Sequence, residues 1–286
     1  MAEPGYPQPT AGGSGGLAGR RASRQVRSQQ RARARETRWA NNRLAVPYPT
    51  DGPKVTFGVL WFLALIGASA LGVYADNSTV SAVAVAAVGA PVAALAGLQT
   101  GNAWFPRQSA TRGWTAAAAY LGAIAGLGGV WGVPIGLFVA LIAVIFYLML
   151  YRGHSRQPME LFDVLARSAI PVALAVSCLA ALGTVGIGAQ ISLILLVSAY
   201  EAGDFVVGSG SSNAIEGPMA GLVSLGAMAF ILFLIQPAPF DSRSILLFAV
   251  VAGICCPLGQ IMASGLLPRG NAWAPALRRL DSYLLA

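Results

Sequence analysis

Apolar and polar positions divide the chain into two unequal parts. From about residue 55 onward, long apolar runs follow one another with short polar gaps, at residues 55–75, 80–99, 114–130, 133–151, 168–187, 191–207, 219–235 and 245–267. A helix crosses a bilayer with about 20 mainly apolar residues. The pattern therefore predicts an all-α, polytopic membrane protein with about eight transmembrane helices, the third and fourth runs lying close enough to fuse. Residues 1–54 contain no such run. They are rich in Gly, Pro, Ser, Gln and Arg, too polar to bury a core, and predict a disordered basic arm. No apolar stretch follows the start, so a cleavable signal peptide is not expected. Three regions result: the arm (1–54), an N-terminal helix pair (55–111) and a larger transmembrane domain (112–286).

Composition agrees with that pattern. Of 286 residues, 56% are hydrophobic and 10% charged, where a soluble domain carries about 25% charged residues. Mean hydropathy is +0.63. Eighteen of the 19 basic residues are Arg and one is Lys54, and this usage, with the abundance of Ala and Gly, suggests a GC-rich bacterial genome.

Charge placement sets an expected orientation. Nine arginines fall between Arg20 and Arg43, opposed only by Glu36. A polybasic segment beside the first span fixes topology and touches anionic lipid. Nucleic-acid binding by the arm is the weaker reading, because apart from Trp39 it lacks the interleaved aromatics on which single strands stack. With eight spans and the arm in the cytoplasm, Arg107 and Arg112, then Arg152, Arg156 and Arg167, fall on the cytoplasmic side. The gaps near Asp76, Val130 and Gly188 hold no Lys or Arg. The protein is thus expected in the cell membrane with both termini cytoplasmic. Arg243, in an expected outer loop, is accounted for by a local pair with Asp241.

Little else carries chemistry outside one stretch. The three cysteines, Cys178, Cys255 and Cys256, lie in apolar runs and read as small buried hydrophobes. The single histidine, His154, sits in an Arg-containing gap and reads as a surface residue. Glycines at helical spacing (Gly122, Gly126, Gly132 and Gly136) let helices approach closely; packing within one chain is the first reading and a homodimer face the second. Pro91, Pro134, Pro171 and Pro257 interrupt spans, and Pro257 before Gly259 suggests a broken helix beside a cavity.

The exception is residues 198–222, which hold Glu201, Asp204 and Glu216, while no Lys or Arg occurs from Ser168 to Ser242. Carboxylates at a membrane boundary are costly unless they face water, a counter-charge or a metal. Glu201 and Asp204 share a helical face, and Gly203, Gly208 and Gly210 allow a turn near a ligand. A cytoplasmic acidic loop over 201–217 could hold Mg²⁺, which takes one or two carboxylates together with substrate phosphates. A solvated acidic loop is the plain alternative.

The order of motifs resembles the bacterial phosphatidate cytidylyltransferases, or CDP-diglyceride synthetases, over about residues 115 to 286. Glu201-Ala202-Gly203-Asp204-Phe205-Val206-Val207-Gly208 is similar to the family's Asp-Thr-Gly-Ala-Tyr-Leu-x-Gly. Glu216-Gly217, with Gly221 after it, stands where the family has Lys-Thr-Trp-Glu-Gly. Gly259-Gln260 replaces a Gly-Asp, with Ser264 following, and the chain closes on Arg278-Arg279-Leu280-Asp281-Ser282, similar to Asp-Arg-x-Asp-Ser. The resemblance implies an enzyme joining CTP and phosphatidic acid into a CDP-lipid. It implies Mg²⁺ on Glu201, Asp204 and Asp281, and substrate contacts from Glu216, Ser264, Arg278, Arg279 and Ser282. Arg269 is a further cation able to meet phosphate. The chain departs from the family pattern at the acid replaced by Gln260, at a Lys-Arg pair, and at a Lys-Asp and a His-Gly-Gly that are missing around Gly270 to Pro275. Nucleotidyl transfer depends on metal and cation stabilisation of phosphate charge. A catalytically inactive relative, acting as a lipid-binding or membrane-assembly protein, is the alternative. Ion-coupled transport is disfavoured because the middles of the spans carry no charge.

Overall fold

The computed structural model describes residues 52–106, 109–151, 158–209, 215–269 and 272–286. The basic arm up to residue 51, together with Arg107, Arg152, His154 and Arg156, lies outside the described residues.

All regular structure among the described residues is helical, with no strand. Helices α1 (Gly52–Tyr74), α2 (Ser78–Trp104), α3 (Ser109–Ile124), α4 (Gly129–Tyr151), α5 (Pro158–Val185), α6 (Ile187–Gly208), α7 (Glu216–Ile235) and α8 (Ser242–Leu266) match the eight apolar runs. A single turn, α9 (Leu277–Leu280), and a 3₁₀ turn (Ser282–Leu284) follow. Polar caps start two of the helices. The Asn77 side chain accepts from the Thr79 amide at 2.8 Å. Asp241 and Ser244 cap α8 reciprocally, through Ser244 N–H to Asp241 Oδ1 at 2.7 Å and Asp241 N–H to Ser244 Oγ at 2.9 Å. Asp241 is therefore a helix cap, and its carboxyl lies below its ordinary value because the Ser244 hydroxyl and amide hydrogen-bond it. This replaces the expected pairing with Arg243.

Seven helical segments are long and apolar enough to cross a membrane. One of them, Thr111–Leu150, is 40 residues long, about 60 Å as a straight helix, twice a bilayer's hydrocarbon core. It does not run straight. A 3₁₀ turn at Ala125–Gly128 folds α4 back along α3, so Trp114 meets Tyr147 with ring centroids 5.7 Å apart and Thr111 Oγ1 lies 2.7 Å from the Tyr147 hydroxyl. Gly129 at the bend has φ 66°, a left-handed conformation that other residues adopt only with strain. A Cβ on Gly136 would come within 2.5 Å of the Gly122 carbonyl oxygen. Gly132 is equally close against Ala125, and Gly126 against Ser177. These glycines are used inside one chain, so a homodimer would have to use another face.

Helix α5 sits at the centre of one half, packed by α2, α3 and α4, while α6 pairs with α7 and touches α1. Small buried residues such as Ala82, Ala86, Ala90 and Ala93 line α2 and permit this close packing. Large apolar side chains including Phe57, Phe138, Leu234 and Leu247 point outward, an arrangement suited to lipid. Each of Pro91, Pro134, Pro171 and Pro257 lies inside a continuous helix. The expected break at Pro257 is absent because neighbouring helices and short local adjustments can satisfy a carbonyl that proline leaves unpaired. Cys256 is buried as expected, but Cys178 faces outward, a thiol being apolar enough for lipid contact.

Candidate functional site

Glu201 and Asp204 lie within α6, two turns and one turn before its end at Gly208, rather than in a loop. Gly203 between them is helical too. A Cβ there would strike Ser224 Oγ and stand 2.6 Å from the Ala220 carbonyl oxygen, and one on Gly221 would stand 2.8 Å from the Tyr200 ring. The glycines thus serve close contact between α6 and α7 rather than a turn. That contact holds Tyr200 and Asp204, one turn apart on α6, against α8.

On α8, Cys256, Gln260 and Ser264 recur every four residues and are all buried. The Tyr200 hydroxyl donates to Gln260 Oε1 at 3.1 Å. Gln260 Nε2 donates to Asp204 Oδ2 at 3.0 Å. Ser264 Oγ donates to the Gln260 carbonyl at 3.1 Å and accepts from Arg278 Nη1 at 2.9 Å.

The third wall is the chain after α8. It returns over the end of the bundle and is tied down at several points. The Ala276 amide donates to Gln99 Oε1 of α2 at 2.9 Å, and at the end of α8 itself Trp104 Nε1 donates to the Leu266 carbonyl at 2.9 Å. A Cβ on Gly58 of α1 would lie 2.6 Å from an Arg279 guanidinium nitrogen. Gly259 of α8 carries no side chain where the Asp281 carbonyl oxygen presses against it. Leu277, Leu280, Tyr283 and Leu284 are buried, so the segment is part of the core.

Asp281 is 4% exposed. Its Oδ1 accepts from the Ser282 amide at 2.7 Å, and its Oδ2 lies 4.0 Å from Arg278 Nη1. Burial pushes the Asp281 carboxyl up to about 6, against the pull of Arg278, the Ser282 amide and Arg279, with Asp204 adding to the rise. Burial lowers Arg278, with Asp281 acting in the opposite direction. Burial likewise raises Tyr283, and the nearby Glu201 adds to this, while a hydrogen bond with Ser198 opposes it. Glu201 Oε1 is buried without a hydrogen-bond partner, although the Ser282 hydroxyl reaches the carboxylate and Asp281, Arg279 and Asp204 are its charged neighbours.

Of the residues expected at a site, Glu201, Asp204, Ser264, Arg278, Arg279, Asp281 and Ser282 are brought together. Glu216 stands exposed in the first turn of α7. Tyr200, Tyr283 and Gln99 complete the cluster and its anchorage without having been singled out from the sequence. The signal for Tyr200 was its four-residue spacing from Asp204; Tyr283 and Gln99 had none beyond polarity in apolar surroundings.

A divalent ion on Glu201, Asp204 and Asp281 would need their oxygens to converge on one point. Asp204 faces the Gln260 amide and Asp281 faces Ser282 and Arg278. Among the described residues no group of three His, Cys, Asp or Glu side chains is placed to hold a metal ion. This geometry does not fit Mg²⁺.

Comparison with protein-family models, with curated proteins and with solved structures finds no match. The fold and the cluster define a class: an all-α, multi-pass membrane protein whose buried polar cluster is closed by its own C-terminal segment.

Proposed function

We propose that this chain is a non-catalytic membrane protein built on the plan of the CDP-diglyceride synthetases, acting in lipid binding or membrane assembly. The observation that carries the reading is the Gln260–Asp204 hydrogen bond at 3.0 Å. The resemblance places an acid at residue 260, and here a neutral amide instead satisfies a buried carboxylate. A buried carboxylate needs such a donor when no metal neutralises it. Arg278 is held in the same way by Ser264 and Asp281, so a cation that could meet a phosphate is engaged inside the protein.

The second reading, a rebuilt enzyme forming a CDP-lipid from CTP and phosphatidic acid, is favoured by the presence of Glu201, Asp204 and Asp281 in one buried cluster with Arg278 and Arg279. Both readings share an orientation in the cell membrane. The bundle end formed by the start of α1 and the ends of α2, α6 and α8 also holds Arg112, Arg269, Arg278 and Arg279, whereas the opposite end holds Asp76, Asp241 and Arg243. The positive-inside rule puts the Arg-rich end, and both termini, in the cytoplasm.

The deciding experiment is incorporation of labelled CTP into lipid by the purified, folded protein with Mg²⁺ and phosphatidic acid. The expected result is none above a protein-free control. Incorporation abolished by both Glu201→Gln and Asp281→Asn would sink the non-catalytic reading and establish the second.

A further inference from the structure

Beside the cluster, and sharing no residue with it, a cavity of about 420 Å³ opens at the Arg-rich end. It is lined by Asn102, Ala103, Pro268, Arg269, Ala272 and Trp273. We infer that it holds the phosphate-bearing headgroup of an anionic membrane lipid.

Depth comes first. Helix α2 has 27 residues and rises about 40 Å, so its last turn, with Asn102 and Ala103, reaches past a hydrocarbon core of about 30 Å into the headgroup layer. The opposite wall is the segment directly after α8, another span end.

Chemistry comes second. Arg112 Nη1 donates to Asn102 Oδ1 at 2.9 Å, which orients the amide and leaves its NH₂ as a donor. Arg269 is exposed at the cavity, and among the described residues neither Arg112 nor Arg269 is paired with a carboxylate. Arg269 is the guanidinium on the cavity wall and Arg112 stands behind Asn102; a guanidinium without a carboxylate beside an amide NH₂ suits phosphate oxygens, which the planar Arg fork matches. Trp273 is 70% exposed on the rim. An indole combines an apolar body with one N–H donor and favours the interface level. The volume is that of a small-ligand pocket, enough for a headgroup while the acyl chains lie along the bundle.

This site does not depend on whether the cluster is catalytic. The test is native mass spectrometry of the full-length protein in detergent, titrated with phosphatidylglycerol, phosphatidylcholine or inorganic phosphate. One phosphatidylglycerol per chain is expected to bind saturably and more tightly than phosphatidylcholine. Arg269→Gln should weaken it about tenfold, the loss of one charge-assisted contact, and Arg112→Gln should weaken it less, by freeing the Asn102 amide that Arg112 orients. Arg243→Gln, at the opposite end, should leave it unchanged. Unaltered binding in Arg269→Gln, or an equal loss in Arg243→Gln, would overturn the inference. Displacement of the lipid by an equal concentration of inorganic phosphate would also overturn it, by making the ligand a soluble phosphate.

Discussion

Asp281 shows how much one side chain can depend on its surroundings. It is a carboxylate with an ordinary value of 3.8, held near 6 by burial. An acid raised in this way binds its proton more tightly in the folded chain than in the unfolded one. Its contribution to stability is therefore fully present below about pH 4 and is lost as pH rises toward 6. Between pH 7 and pH 5 the wild type should gain about 1 kcal/mol from this group, and Asp281→Asn, always neutral, should lack that gain. Unfolding midpoints in detergent at the two pH values check this; an equal gain in both proteins would show that Asp281 is not the titrating group. The residues that charge and motif order single out, Glu201, Asp204, Arg278 and Asp281, were legible because each breaks an apolar or neutral background. Their partners Tyr200 and Gln260 were not legible as partners, since Tyr and Gln occur in membrane helices for many reasons. Only the crossing of α6 and α8 makes them a hydrogen-bonded pair.

At the level of elements, the α6–α7 contact decides where the cluster forms. Gly221 has the Tyr200 ring 2.8 Å from its missing Cβ, whereas Gly226, on the same helix, has nothing within 4 Å. Gly221→Val should cost about 2 kcal/mol through overpacking, and Gly226→Val should cost much less. Thermal unfolding of both variants checks the difference, and equal effects would mean that the cost is helix propensity rather than contact. The eight runs were legible to within a few residues at most ends, because a bilayer demands length and apolarity and the chain supplies both. The α5 start was placed ten residues late, since Pro158–Arg167 carries charges that a hydropathy pattern excludes from a span. The roles of Gly203 and Pro257 were not legible. A glycine that permits a turn and one that permits close packing look alike in sequence, and so do a proline that breaks a helix and one that neighbours accommodate.

On the scale of the whole molecule, residues 272–286 join elements that are far apart in the chain. They touch α1 at Gly58, α2 at Gln99, and α8 at Gly259 and Ser264. Four of their apolar side chains, those of Leu277, Leu280, Tyr283 and Leu284, are buried. Removing the segment should cost on the order of 5 kcal/mol, while insertion, set by the spans, should persist. It should also expose Cys256, now fully buried, to alkylation in a background in which Cys178 and the half-buried Cys255 are both replaced by Ser. A truncated protein with an unchanged midpoint and an unreactive Cys256 would show that the segment is not structural.

The sequence by itself determined that this is an all-helical membrane protein, where its helices run and which end is basic, because hydropathy and charge act locally and are additive along the chain. It also marked the carboxylates, because charge in an apolar background is conspicuous wherever it falls. Only the tertiary structure decided that those carboxylates meet an amide, a guanidinium and a backbone N–H rather than one another's open oxygens. Hydrogen-bond partners are set by which helix faces meet and by where a returning segment docks, and those distances have no counterpart in residue spacing.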